Sequence, residues 1–395
     1  MKLAEMLGYA DIAQLGRIAE AYNCECNSHS KNELIQSILL AMNRKEVMQN
    51  QVGALAIEEL RFVNSLLFDN RNVFSLEDLI ARVQQGRFEV PQGEAKAALP
   101  TNRLQKNKKK SKANKNSDQP PSPRETIAKL KYAGWLFNGF SSTNRYLFHV
   151  PTDMKDRFRD ELAVRFEAGL TQIAEPEGFR DEQELLADDM LKFLSYLRQH
   201  EVPLNAEGAM YRRTIAQLVE LFHVSEALPS KGEWRFGYGR RVKDYPNRMS
   251  FIYDFCYYHG YIAESASVLE LTPLGKEQVE QRRLPSAAAL LKFWLRLYKG
   301  PIPSLVSLVH WINLLARQWV TADSLANTLL PFVKPYYYDS AAIIMQQRIF
   351  GMMMHLGLLR IGEHHQAGQV VRMTKIGLAA VSGVHIAEED KISMD

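Results

Sequence analysis

Apolar residues recur at helical spacing along most of the chain, and short alternating runs follow the longer helical stretches. Leu3, Met6 and Leu7, then Ile12, Leu15, Ile18 and Ala19, then Leu34, Ile35, Ile38 and Leu39 predict three short helices within residues 1–47. Ser30, with Glu33 three residues on, is expected to cap the last of them. AIEELRFVNSLLF (56–68) and SLEDLIARVQ (75–84) predict two more. Ser75 is placed to cap the second, with Asp78 in its first turn where the helix dipole favours an acid. PRETIAKLKYAGWLF (123–137) opens another helix with Pro123 at a first-turn position. WLFNGFSSTNRYLFHVP (135–151) reads as two strands around a polar turn.

The same order recurs twice. DDMLKFLSYLRQH (188–200) and GAMYRRTIAQLVELF (208–222) lead to MSFIYDFCYYHG (249–260) and a hairpin in YIAESASVLELTPLG (261–275). LVSLVHWINLLARQW (305–319) and ADSLANTLLPFV (322–333) lead to AAIIMQQRIFGMMMHLG (341–357) and LLRIGEHHQAGQVVRMTKIG (358–377). In each copy a glycine (Gly134, Gly260, Gly357) is placed to end the third helix in a left-handed conformation. Thr272 to Gly275 and Thr374 to Gly377 then start a further helix. The expected fold is mainly α (α+β), with tandem winged-helix-like modules carrying small β-hairpin wings. Boundaries follow: an N-terminal helical unit at 1–47, a first module at 52–155, a second at 185–283, a third at 288–384, and a flexible acidic tail at 385–395.

Composition sharpens this picture. The chain is 395 residues long, 46% hydrophobic and 24% charged, as expected of a globular protein with two to four compact units. No run of 18 apolar residues occurs, and the N-terminus lacks the apolar core of a secretory signal. Three cysteines fit a reducing cytosol, so the expected localisation is cytoplasmic. The formal charge of +4 is concentrated in one place: seven basic residues and no acid lie between Arg103 and Lys115, and the remainder sums to −3. Those residues fall in a Pro-, Gly-, Lys-, Asn- and Ser-rich stretch at 88–123, expected to be a disordered insertion inside the first module. An acidic bridge from Glu175 to Asp189 holds seven acids and one arginine.

No phosphate loop, dinucleotide fingerprint, zinc-protease helix or nucleophile elbow is present, so neither a catalytic residue nor a cofactor is expected. Cys24, Cys26 and His29 lack a fourth metal ligand, and no metal is assigned; His364 and His365 read as solvated turn residues. The most distinctive string is EWRFGYGRRVKDYPNR (233–248). With Lys231 it carries six basic residues against two acids, interleaved with aromatics. Two readings stand. Arg235, Arg240, Arg241, Lys243 and Arg248, with Trp234 and Tyr238, form a nucleic-acid contact loop, or they form a structural corner in which arginines stack on aromatics and pair with the acidic bridge. Lys108, Lys109 and Lys110 in the insertion suit salt-sensitive phosphate binding. Of the third helices only the first, with Arg124, Lys129 and Lys131, is equipped to enter a groove. The other two are too apolar and are expected to be buried or to meet protein.

HSKNELIQSIL (29–39) is similar to SAP and Rho N-terminal helical motifs, which bind nucleic acid in some families. PLNAEGAMYRR (203–213), GYIAE…LELTPLG (260–275) and GLLRIGE…VVRMTKIG (357–377) resemble the helicase-associated domain related to the N-terminal region of XPB-type repair helicases, as found in standalone bacterial proteins. That resemblance covers about half the chain and implies a DNA transaction with a helicase partner, although no motor domain is attached.

The expectation is therefore a non-enzymatic DNA-binding accessory or regulatory protein with no membrane association. The alternative is a protein-interaction scaffold whose winged modules make no direct contact with nucleic acid.

Overall fold

The computed structural model describes residues 1–27, 29–89, 121–230, 235, 237, 239–265, 267–386 and 392. The chain is mainly helical with small antiparallel sheets, and it divides into two compact units, Met1–Gly169 and Leu170–Asp395. The basic stretch 103–115 and nearly all of the acidic tail lie outside the described residues.

In the first unit, helices Leu3–Tyr9, Ile12–Ala21 and Lys31–Asn43 bury the apolar positions that the spacing picks out, Leu7, Leu15, Ile18, Leu34 and Ile38 among them. Ser30 accepts the Glu33 amide at 3.4 Å, but the Glu33 carboxylate turns to the Asn27 amide. Ser75 accepts the Asp78 amide at 3.0 Å. Ser122 and Glu125 close a reciprocal capping box around Pro123. A boundary near residue 47 is not a boundary of the compact unit. The Thr152 amide donates to the Met1 carbonyl, the Leu3 amide to Asp153, and the Tyr22 hydroxyl to the Ala133 carbonyl at 2.8 Å. Helix Thr152–Glu167 thus ties the N-terminal helices to the hairpin that precedes it.

One element order occurs three times among the described residues: helix, short strand, helix, helix, two strands. In each, the short first strand pairs antiparallel with the last. Val73–Phe74 pairs with Phe148–His149, Val202–Pro203 with Val268–Leu271, and Val320–Thr321 with Gly368–Met373. Two-residue strands leave almost no alternating pattern, and none of the three was legible as a strand beforehand.

The second unit contains two of these assemblies. Its acidic stretch is built into the fold, since Gly178–Arg180 adds an edge strand to Leu359–His364 in a four-stranded sheet. Just upstream, the Ile173 amide donates to the Trp319 carbonyl and the Thr321 amide to the Thr171 carbonyl. Helix Asn247–Tyr258 is enclosed on nearly every side, with Arg248 through Cys256 all buried. The helical run Ala341–Ile343, Ile344–Phe350 and Gly351–His355, whose middle segment is a π-helix, buries Ile344, Met345, Ile349, Phe350 and Met353. Of the two fates open to these apolar third helices, the structure gives burial in the core.

Candidate nucleic-acid interface

The described part of the aromatic and basic string turns its arginines inward. Arg240 grips Glu264 through Nη2 to Oε2 at 2.7 Å, with its guanidinium 4.0 Å from the centre of the Tyr257 ring. Arg241 shares Glu264 at 3.2 Å and donates to the Glu207 carbonyl at 2.6 Å. Arg235 donates to the Tyr245 carbonyl and to Asn247 Oδ1. Tyr253 donates its hydroxyl to Glu264 at 2.6 Å, so Glu264 is held by two guanidiniums and a phenol. These partners keep its carboxyl below the usual range despite its burial. The neighbouring Asp254 is 1% exposed and accepts the Arg240 amide. Burial outweighs that bond and raises its carboxyl to about 7. Lys243 alone of the five basic residues proposed here stands exposed. Trp234 and Tyr238 lie outside the described residues.

Arg248 requires a correction. Its side chain has no solvent exposure and donates to Asp189 at 2.7 Å, with Glu182 at 3.8 Å. Glu182 in turn meets His355 at 2.9 Å and Arg180 at 2.6 Å, and Asp181 accepts from Arg360 at 2.7 Å. A guanidinium so enclosed cannot meet a phosphate without unpacking the helix that carries it. The acids of 175–189 are its partners, as the corner reading required. The ion pairs also bind helix Asn247–Tyr258 of one assembly to strand and helix of the other.

The first unit presents a different surface. Over residues 1–169 the sequence has 25 lysines and arginines against 20 acids, an excess supplied by the basic stretch 103–115 outside the described residues, and the described residues of this unit hold 17 against 18; over 170–395 the sequence has 24 against 25. The hairpin turn after Asn138 leaves aromatic rings in solvent. Asn138 pairs with Phe148, and the Gly139 amide donates to the Leu147 carbonyl, which sets Phe140 opposite Tyr146. Tyr9, 64% exposed, stacks on Phe140 with centroids 4.5 Å apart; Tyr146 is 67% exposed, and the Arg145 guanidinium lies 4.7 Å from its ring centre. Beside the hairpin, Arg17 donates to the Tyr132 hydroxyl at 2.7 Å and covers its ring at 4.7 Å. Gly134, at φ +73°, packs against Ile18 and holds this corner to helix Ile12–Ala21. Such rings beside guanidiniums can stack on bases and pair with phosphates. The sequence signal was there, in Phe140, Arg145 and Tyr146 around a polar turn, but an exposed turn aromatic looks the same on paper as a buried one.

The third helix of this unit is only partly free. Lys129 is paired with Glu59 at 2.7 Å, while Arg124 is exposed and Lys131 half-buried. Lys108, Lys109 and Lys110 lie outside the described residues. Among the described residues no group of three or more His, Cys, Asp or Glu is arranged to hold a metal ion. His364 and His365 stack on each other at the tip of the last hairpin. No helix among the described residues is long and apolar enough to cross a membrane. No family model, curated protein or solved structure matches the chain.

Proposed function

We propose that this chain is a non-catalytic DNA-binding accessory or regulatory protein, acting through winged-helix modules and basic loops with a helicase as partner. The observation that carries the reading is the solvent exposure of the Tyr9 and Tyr146 rings, with Arg145 beside Tyr146, in a unit whose sequence also carries the basic stretch 103–115. The repeated order of helix, strand, helix, helix and hairpin is that of a winged helix, and it supports the same reading. In it the first module's hairpin and the lysines of 103–115 make the contacts. The two modules of the second unit, with their third helices inside the core, form a support in which Lys243 is the exposed member of the aromatic and basic string among the described residues.

The test is binding of the full chain to labelled duplex and single-stranded DNA across a salt series. Affinity is expected to fall steeply with salt, because each neutralised phosphate releases counterions. Absence of binding at low salt, or an affinity indifferent to salt, sinks the proposal. A protein-interaction scaffold is the second reading, favoured by Tyr337 and Tyr338, which stand 80% and 79% exposed on a turn next to Lys334. Partners that survive nuclease treatment while DNA binding is absent support it.

A further inference from the structure

The second unit holds an open cavity of about 430 Å³ that the ion-pair networks and the proposed DNA contacts leave unused. That size falls in the range of small-molecule sites. Part of the lining is a single face of helix Leu185–Gln199, where half-buried Leu191 lies beside the buried Met190 and Leu194, and exposed Leu284 adds a second accessible apolar side chain. The polar lining is His259 and Tyr261, between helix Asn247–Tyr258 and strand Ile262–Ser265, Gln278 within helix Pro273–Glu280, and Arg283 in the linker beyond that helix. A lining that joins apolar and polar side chains calls for a ligand with two unlike sides.

The polar lining has a definite hydrogen-bonding character. His259 Nδ1 lies 2.8 Å from the Phe255 carbonyl, which can only accept, so Nδ1 carries the proton and Nε2 keeps its lone pair. The imidazole stacks on Phe255 at 3.9 Å, and burial lowers its pKa, so it is neutral at pH 7. Burial raises the Tyr261 phenol, which therefore remains a donor. Arg283 is close enough to pull that phenol in the other direction. The Arg283 amide donates to the Gln278 carbonyl at 3.1 Å, which fixes the backbone from which its side chain extends. Its ion pair with Glu277 at 3.4 Å joins two well-exposed side chains, and such pairs are weak. A guanidinium and a phenol are thus both donors in the lining of one cavity.

We infer that this cavity binds a small organic carboxylate with a flat apolar body, its carboxylate held by Arg283 and Tyr261 and its ring lying against Leu191 and Leu284. Nε2 of His259 accepts a hydrogen bond from any hydroxyl or N–H substituent on the ring. The site is independent of the proposed DNA contacts.

Calorimetric titration of the full chain with 2-naphthoate, and separately with the neutral 2-naphthalenemethanol, tests this. The wild type is expected to bind naphthoate saturably with one site. Arg283→Gln should weaken naphthoate about tenfold and leave the alcohol unchanged, since only the former loses a charge-assisted bond. Ala289→Trp, at an exposed position on the cavity rim, should abolish binding of both. The inference is overturned if the wild type shows no saturable binding up to millimolar ligand, if Arg283→Gln weakens both ligands equally, or if a folded Ala289→Trp binds as well as the wild type. Arg283→Gln changes an exposed side chain, so its result stands even if the tryptophan variant fails to fold.

Discussion

The Thr374 hydroxyl donates to the Gly357 carbonyl at 2.7 Å while accepting the Gly377 amide at 2.8 Å. The same corner is built in the preceding assembly, where Thr272 donates to Gly260 at 2.6 Å and accepts from Gly275 at 3.0 Å. Gly260 and Gly357 are both left-handed, at φ +68° and +71°. One threonine therefore caps the last helix and pins it to the end of the third. A Cβ on Gly377 would lie 2.2 Å from the Leu358 carbonyl oxygen, and one on Gly275 2.1 Å from that of Tyr261. Gly377→Ala or Gly275→Ala is expected to destabilise by about 2–3 kcal/mol, since backbone must move. Thr374→Val should cost about 2 kcal/mol, a cap and a buried hydrogen bond together. Thermal unfolding checks both, and an unchanged midpoint for Gly377→Ala would contradict the corner geometry.

Arg248 offers a sharper test of the ion-pair network. Arg248→Ala leaves Asp189 and Glu182 buried beside a void and should destabilise by about 3–5 kcal/mol. Arg248→Met paired with Asp189→Leu should recover much of the loss, because the desolvation cost leaves with the charges. Urea denaturation of the single and double variants measures the difference. A double variant no more stable than Arg248→Ala would mean that the network itself is required.

The Asp254 carboxyl, raised from 3.8 to about 7 by burial, makes stability depend on pH. Between those values the folded state holds a proton that the unfolded state has released, so stability falls as pH rises from about 4 to 7 and is flat above. Asp254→Asn keeps an oxygen for the Arg240 amide and removes the penalty. It should be more stable than wild type at pH 8, by as much as about 4 kcal/mol, with the advantage shrinking towards pH 4. Denaturation at both pH values decides this, and an advantage that grows on acidification would reverse the assignment.

For the first unit, replacing Phe140 and Tyr146 by alanine should weaken single-stranded DNA binding more than duplex binding, by about tenfold or more, because unpaired bases are the ones that stack. Deleting residues 103–115 should instead weaken both substrates and flatten the salt dependence. Fluorescence anisotropy distinguishes the two. Equal, small effects of the aromatic changes on both substrates would remove stacking from the mechanism.

Much of the fold could be read from the residues. The helical spacing, the Ser30 and Ser75 caps, Pro123 and the paired Thr-x-x-Gly corners each act within one turn of chain, and local sequence suffices for them. The short first strands of the three assemblies could not be read, because two residues carry no period. Nor could the merging of residues 1–47 with the first module, which rests on contacts between residues more than a hundred positions apart, such as Thr152 to Met1.

The sequence by itself determined where the capped helices begin, that three assemblies of one order follow each other, and where charge is concentrated, since all of these depend on side-chain type and spacing. Only the tertiary structure decided what each charge faces. Arg248 and Lys243 sit five residues apart in one basic string, yet one is sealed against Asp189 and the other stands in water. Burial belongs to a residue's neighbours in space, and those come from the acidic stretch some sixty residues earlier.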